Sequence, residues 1–159
     1  MSIARFDHVS AAQYAADQQL PDALPVTHIP LPRRATAGSA GYDFVCPAEV
    51  TLHPGDAVTI PTGVRCDMQP GWVLMLFPRS GLGFRHQVRL ANTVGVIDAD
   101  YYHAANEGHI MVRIVCGGNH AVTIARGERF CQGVFLPHGL AEEEEVADDR
   151  TGGFGSTGK

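Results

Sequence analysis

Long apolar runs are missing from this chain, and none nears the about 18 residues that a helix needs to cross a bilayer. No membrane partner is expected. The opening residues MSIARFDHVS lack the apolar centre of a secretory leader, which points to the cytoplasm. Clustered positive charge is also missing: 12 Lys and Arg stand against 17 Asp and Glu, a formal net charge of −5. A nucleic-acid partner needs phosphate neutralisation by grouped cations, so that class is excluded. One small phosphate ligand needs only a few donors and stays open. Of the four cysteines, Cys46, Cys66, Cys116 and Cys131, no two form a Cys-x-x-Cys pair. That spacing offers no zinc site and suggests buried thiols in a reducing compartment. The eight histidines show no His-x-His or HExxH spacing, so none is assigned to a metal.

What the chain does have suits one domain. Its 159 residues are 45% hydrophobic, enough for a core. Residues 1–23 stand apart as an N-terminal extension. There Ser10 can cap a helix over Ala11–Leu20, with Pro21 and Pro25 beyond its end. From residue 24 to 147 short runs of Val, Ile, Thr and Phe are broken by Gly and Pro, as in AVTIPTGVRCDM and AVTIARGERFCQGVFLP. That texture predicts an all-β sandwich or barrel. His53-Pro54-Gly55-Asp56 and Gln69-Pro70-Gly71 read as turns. Residues 148–159, DDRTGGFGSTGK, cannot build a core and read as a mobile tail.

Four segments carry chemistry. Pro78-Arg79-Ser80-Gly81-Leu82-Gly83 joins a guanidinium fork, a hydroxyl and glycines that let backbone amides approach an anion. Alternatively it is a plain turn with an exposed Arg. In Asn92–Tyr101, apolar strand-like pieces flank Gly95 and suggest a tight hairpin whose backbone faces a flat base. Asn92 adds an amide that both donates and accepts. Asp98 follows Val96 and Ile97, which look buried, and suits a general base. Tyr101 offers a ring to a sugar. Asp98 and Asp100 also fit as ordinary turn carboxylates. In the tail, Arg150, Phe154, Ser156 and Thr157 on glycine hinges suit a lid, although composition alone suggests disorder. In Arg126–Gln132, Gln132 is the residue placed to reach polar chemistry.

Taken in order, Ala40-Gly41-Tyr42-Asp43-Phe44, PRSGLG at 78–83, GVIDADY at 95–101, RGERFCQ at 126–132 and GGFGSTG at 152–158 resemble the five motifs of the trimeric dUTPase family. The resemblance covers residues 24–159. It implies a jelly-roll-like distorted β barrel, assembled as a homotrimer whose C-terminal arm closes over sites between subunits. It also implies hydrolysis of dUTP to dUMP and pyrophosphate, which lowers dUTP and supplies dUMP for thymidylate synthesis. On this sequence Asp98 would activate water, with Tyr101 on the deoxyribose and Gln132 near the α-phosphate. Asn92, with the backbone of Gly95, Val96 and Ile97, would read uracil. Arg79, Ser80 and Gly81 would bind phosphates. Arg150, Phe154, Gly155, Ser156 and Thr157 would form the lid. Asp43 would support a substrate-bound Mg2+ through water.

Departures from the family pattern are the segment YHAANEGH after Tyr101, longer than the usual short turn, and the extension at 1–23. The spacing from Arg150 to Phe154 is also one residue short. Two rivals remain at this point: a dCTP deaminase-related enzyme, which needs a proton shuttle at the base's amino group, and a non-catalytic trimeric binding or regulatory module.

Overall fold

The computed structural model describes residues 2–142. The predicted tail residues Arg150, Phe154, Gly155, Ser156 and Thr157 therefore lie outside the described residues. The Val-, Ile- and aromatic-rich runs become short strands, because branched and aromatic side chains pack on a pleated surface. In chain order these are β1 (Ala4–His8), β2 (Arg33–Arg34), β3 (Tyr42–Val45), β4 (Val50–Leu52), β5 (Ala57–Pro61) and β6 (Val64–Met68). There follow β7 (Trp72–Pro78), β8 (Val88–Leu90), β9 (Gly95–Ile97), β10 (Met111–Cys116), β11 (Val122–Ile124) and β12 (Arg129–Pro137). Two short helices, α1 (Ala11–Asp17) and α2 (Ser80–His86), interrupt them.

The all-β, jelly-roll-like expectation is met. Four antiparallel sheets surround one core, ordered β2-β3-β12-β7-β9, β5-β10-β8, β11-β4 and β1-β6, and none closes on itself among the described residues. The core gathers Phe44, Leu74, Leu76, Ile114, Ile124 and Phe130. Both predicted turns form, with Gly55 at φ 86° and Gly71 at φ 85°. All four cysteines are free and buried. Burial pushes the thiol of Cys46 up to about 11 and that of Cys66 to about 12, so neither is a thiolate near neutral pH.

Ser10 caps α1 as expected, its hydroxyl accepting from the Gln13 amide at 3.0 Å. The helix ends at Asp17 rather than Leu20. There the Gln18 side chain takes the Leu20 amide at 2.8 Å, and Leu20 turns to pack on the core. A strand inside residues 1–23 was not foreseen: β1 pairs with β6 along its whole length. Its Phe6 ring sits 5.5 Å from Tyr42 and 5.8 Å from Phe135, joining the extension to the main sheet. Val9, Tyr14, Val26 and Ile29 make a second small core.

His109 is wholly buried between these parts. Its Nε2 accepts from the Gly63 amide at 2.8 Å, which leaves Nδ1–H to donate to Asp17 at 2.6 Å. Burial holds the His109 pKa below the ordinary histidine value, against the opposing pull of Asp17 and Glu107. The unfolded chain therefore binds the proton more readily than the folded one. Stability is full above the unfolded value of about 6.5 and is lost as pH falls below it. The thermal midpoint should drop between about pH 7 and 5.5, and His109→Gln should flatten that slope. Parallel profiles for the two proteins would rule His109 out as the titrating group.

Gly63 sits at φ +73°, where an added Cβ would lie 2.8 Å from Ile29 Cδ1 and 3.1 Å from Val26 Cγ2. Gly63→Ala should cost about 2–4 kcal/mol, from the left-handed backbone and the crowded small core together. Denaturant titration measures this.

Candidate functional site

The first group of polar residues gathers at one end of the five-stranded sheet. Antiparallel register places Asp43 on β3 opposite Gln132 on β12, and Gln132 opposite Phe77 on β7. At the end of β7 the Arg79 amide donates to the Phe130 carbonyl at 3.2 Å, which holds Arg79 beside β12. Its guanidinium donates to Asp43 Oδ1, while Arg129 donates to Asp43 Oδ2 at 3.2 Å. Asp43 is only 6% exposed. A carboxylate so buried is matched by partners for both of its oxygens. Two cations against one anion leave the cluster a net positive charge, and each guanidinium keeps N–H groups beyond the one it gives to Asp43.

Cavities flank this bridge on two sides. One of about 220 Å³ is lined by Arg79, Gly81, Arg85, His86 and Arg129 among others. Another of about 560 Å³ is lined by Arg33, Arg34, Asp43 and Arg129 among others. Arg129 borders both, and sequence reasoning passed over it. Its signal was a charged residue opening an apolar strand, with two motifs lying between it and Asp43.

PRSGLG is neither a plain turn nor a loop. Arg79 precedes α2, with Ser80 and Gly81 exposed in its first turn and Leu82 anchored in the core. Gln132 donates weakly to the Pro78 carbonyl, at 3.4 Å. A Cβ on Gly41 would fall 2.5 Å from Gln132 Oε1, so the Ala40-Gly41-Tyr42 step leaves room for that side chain.

The second group lies on β9 and the residues after it. Here the hairpin expectation is corrected. Thr93, not Gly95, takes the positive φ, at 68°. The strands either side of the turn join different sheets, β8 to β10 and β9 to β7. Gly95 is needed for close approach: its Cβ would meet Leu76 Cβ at 3.0 Å. Val96 is not buried but 55% exposed, because β9 is an edge strand and its alternation turns Val96 outward. Ile97 is half-buried as β9 leaves the sheet edge. The outer side of β9 therefore presents backbone donors and acceptors beyond the ladder with β7. Asn92 is exposed in the turn before it.

Asp98 is half-buried and opens a short 3-10 helix, Ala99–His103, with its carbonyl accepting from the Tyr101 amide at 3.2 Å. Tyr101 is buried. Its hydroxyl donates to the His109 carbonyl at 2.9 Å and accepts from Asn106 Nδ2 at 2.8 Å.

The fold brings Asp43, Arg79, Arg129 and Gln132 together, and Asn92, Gly95, Val96, Ile97, Asp98 and Tyr101 together, but holds the two groups apart. Ile97 pairs with Leu74, three residues along β7 from Phe77, and β9 lies three strands from β3. Strand rise and spacing then put Asp98 roughly 20 Å from Asp43 and from Arg79. Among the described residues no three His, Cys, Asp or Glu gather as a metal site. No helix among them is long and apolar enough to cross a membrane.

The chain is similar to proteins with a common activity in their names. The deoxyuridine 5'-triphosphate nucleotidohydrolase of Lactococcus lactis is 44% identical over 133 residues, covering 82% of this chain and 89% of that protein. The Hahella chejuensis protein of the same name is 48% identical over 139 residues, covering 82% and 88%. The crystal structure of dUTPase from Streptococcus mutans superposes with a TM-score of 0.68 at 37% identity, covering 86% of this chain and 98% of that one. The dUTPase of phage phi11 of S. aureus, at 18% identity and a TM-score of 0.66, shares the fold. The dUTPase family model matches residues 27–158, from the strands through the glycine-rich tail, and on that match the chain belongs to the dUTPase family.

Proposed function

We propose that this protein hydrolyses dUTP to dUMP and pyrophosphate at sites shared between the copies of a homotrimer. Strand order and register carry the shared site: β9 lies three strands from β3, and ideal strand rise and spacing put the Asp98 backbone roughly 20 Å from that of Asp43 within one chain. A single nucleotide cannot meet both groups of one copy while Asp98 directs a water at its α-phosphorus. Two copies placed edge to end supply both. Closed cyclic assembly is the usual way such complementary patches are satisfied.

In this site Asn92 and the outer edge of β9 read the uracil, with Val96 against its face. A buried polar site discriminates strongly, because the wrong base leaves its groups unpaired. Tyr101 packs on the deoxyribose and leaves no room for a 2′-hydroxyl. Arg79, Ser80 and Gly81 receive the phosphates, and Gln132 lies beside the α-phosphate and the water. Asp98 takes a proton from that water as its oxygen bonds to the α-phosphorus. The bond to the oxygen bridging the α- and β-phosphorus atoms breaks, and pyrophosphate leaves. Phosphoryl transfer of this kind rests mainly on positioning and charge stabilisation. Arg150, Phe154, Gly155, Ser156 and Thr157 close over the nucleotide and exclude water.

The donor set fits a Mg2+ carried by the substrate. Both oxygens of Asp43 already accept from Arg79 and Arg129, so Asp43 offers no direct ligand and suits an ion that keeps several waters and phosphate oxygens around it. Asp43 would hold it through water, and the ion would supply charge to the triphosphate. Unpaired buried thiols accord with a reducing, cytoplasmic setting.

Product analysis with dUTP, dCTP, dTTP and UTP should show dUMP and pyrophosphate from dUTP alone. Ammonia released from dCTP would select the deaminase chemistry instead. Asp98→Asn should lower kcat by about 10²–10⁴-fold while dUTP still binds. Wild-type turnover in that variant would remove Asp98 from the role of base. Asp98→Asn and Arg79→Ala copies, unfolded together and refolded as random mixed trimers, should regain about a quarter of wild-type activity, since each site draws the two residues from different copies. No recovery in correctly assembled mixed trimers would mean that each site is built within one chain.

A further inference from the structure

The extension and the long loop after Tyr101 are the two features that the family pattern leaves without a role, and they bind each other. The Ser10 amide and hydroxyl both donate to the Glu107 carboxylate at 2.7 Å. Asp17, itself accepting from Gln13 at 2.8 Å, accepts from His109 Nδ1 at 2.6 Å. Tyr102 donates to Asp7 at 3.0 Å, with the Arg65 guanidinium 4.1 Å from the centre of its ring. Gly108, at φ +70°, folds the loop so tightly that a Cβ would lie 2.6 Å from the Tyr101 carbonyl oxygen. The His109 carbonyl accepts from the Tyr101 hydroxyl. An unbroken chain of bonds thus runs from α1 through His109 to Tyr101, three residues from Asp98.

We propose that β1 and α1 form a clasp that positions Asp98 and Tyr101, with Asp17, Glu107 and His109 as positioning residues; the proposal rests on the hydrolytic role given to the site above. The long loop needs such support. Asn106, Glu107 and Gly108 belong to no strand, and an untethered loop of this length samples many conformations. A base held about 1 Å from its working place can lose about 10²-fold in rate.

The test compares wild type with Glu107→Ala, Asp17→Ala and Asp17→Asn in steady-state hydrolysis of dUTP. Glu107→Ala and Asp17→Ala should lower kcat about tenfold with KM changed less than about twofold. Asp17→Asn keeps an oxygen for His109 Nδ1–H and should recover most of the loss. Glu107 lies at the surface, so its variant decides the matter if Asp17→Ala fails to fold. Wild-type kcat in folded Glu107→Ala and Asp17→Ala, or Asp17→Asn no better than Asp17→Ala, overturns the clasp. Amide exchange over residues 98–109 reads the same device without turnover. It should quicken in Glu107→Ala, and unchanged exchange overturns the clasp even in a protein that leaves dUTP intact. An inactive wild type whose loop exchange does quicken in Glu107→Ala counts against the hydrolytic role and for the clasp.

Discussion

A strand paired on both sides cannot slip by one residue without turning every side chain to the opposite face. β12 is held in this way by β3 and β7, with a register shift between Arg129 and Cys131. That double pairing is the constraint on which the site depends. It sets Gln132 beside Asp43, brings Arg79 to the Phe130 carbonyl, and through β7 fixes where β9 and Asp98 can be. The shift after Arg129 lets one strand present a guanidinium near Asp43 and then return Cys131 to the core.

The ion cluster is a consequence of that register and not a source of much net stability. Burying a carboxylate costs several kcal/mol before its partners repay it, and exchanging such a cluster for apolar packing is often neutral. Its value lies in charge. Asp43 holds two guanidinium groups that would otherwise repel, and their surplus positive charge faces the two cavities. A weakly acidic chain, at −5 overall, can thereby bind a polyanion locally.

The N-terminal segment is tied to the rest of the fold by partners far along the chain. Phe6 enters an aromatic cluster with Tyr42, Phe44 and Phe135, so β1 is anchored in the principal sheet. From that anchor α1 reaches the loop behind Asp98. Burial lowers the His109 pKa, and neutral imidazole is the form that accepts from Gly63 while donating to Asp17. Protonation would remove the acceptor and set an N–H against the Gly63 amide.

The residues alone determined the strand-rich class, the turns at Gly55 and Gly71 and the cap at Ser10, because these depend on local propensity and on side-chain chemistry. Arg79, Asp98 and Gln132 were singled out from the chemistry of their segments, and Asp43 only through the family resemblance. Tertiary structure alone decided how they are grouped. Val96 looked buried by composition, yet an edge strand turned it outward. Arg129 had no role assigned within Arg126–Gln132, yet pairing across 86 residues of chain brought it to Asp43. The extension and the 102–109 loop carried no recognisable signal, since each half of the Ser10–Glu107 and Asp17–His109 bonds is an ordinary polar residue until folding brings the two together. The separation of the Asp43 group from the Asp98 group was hidden for the same physical reason: strand order and register are non-local, and no stretch of sequence encodes them by itself.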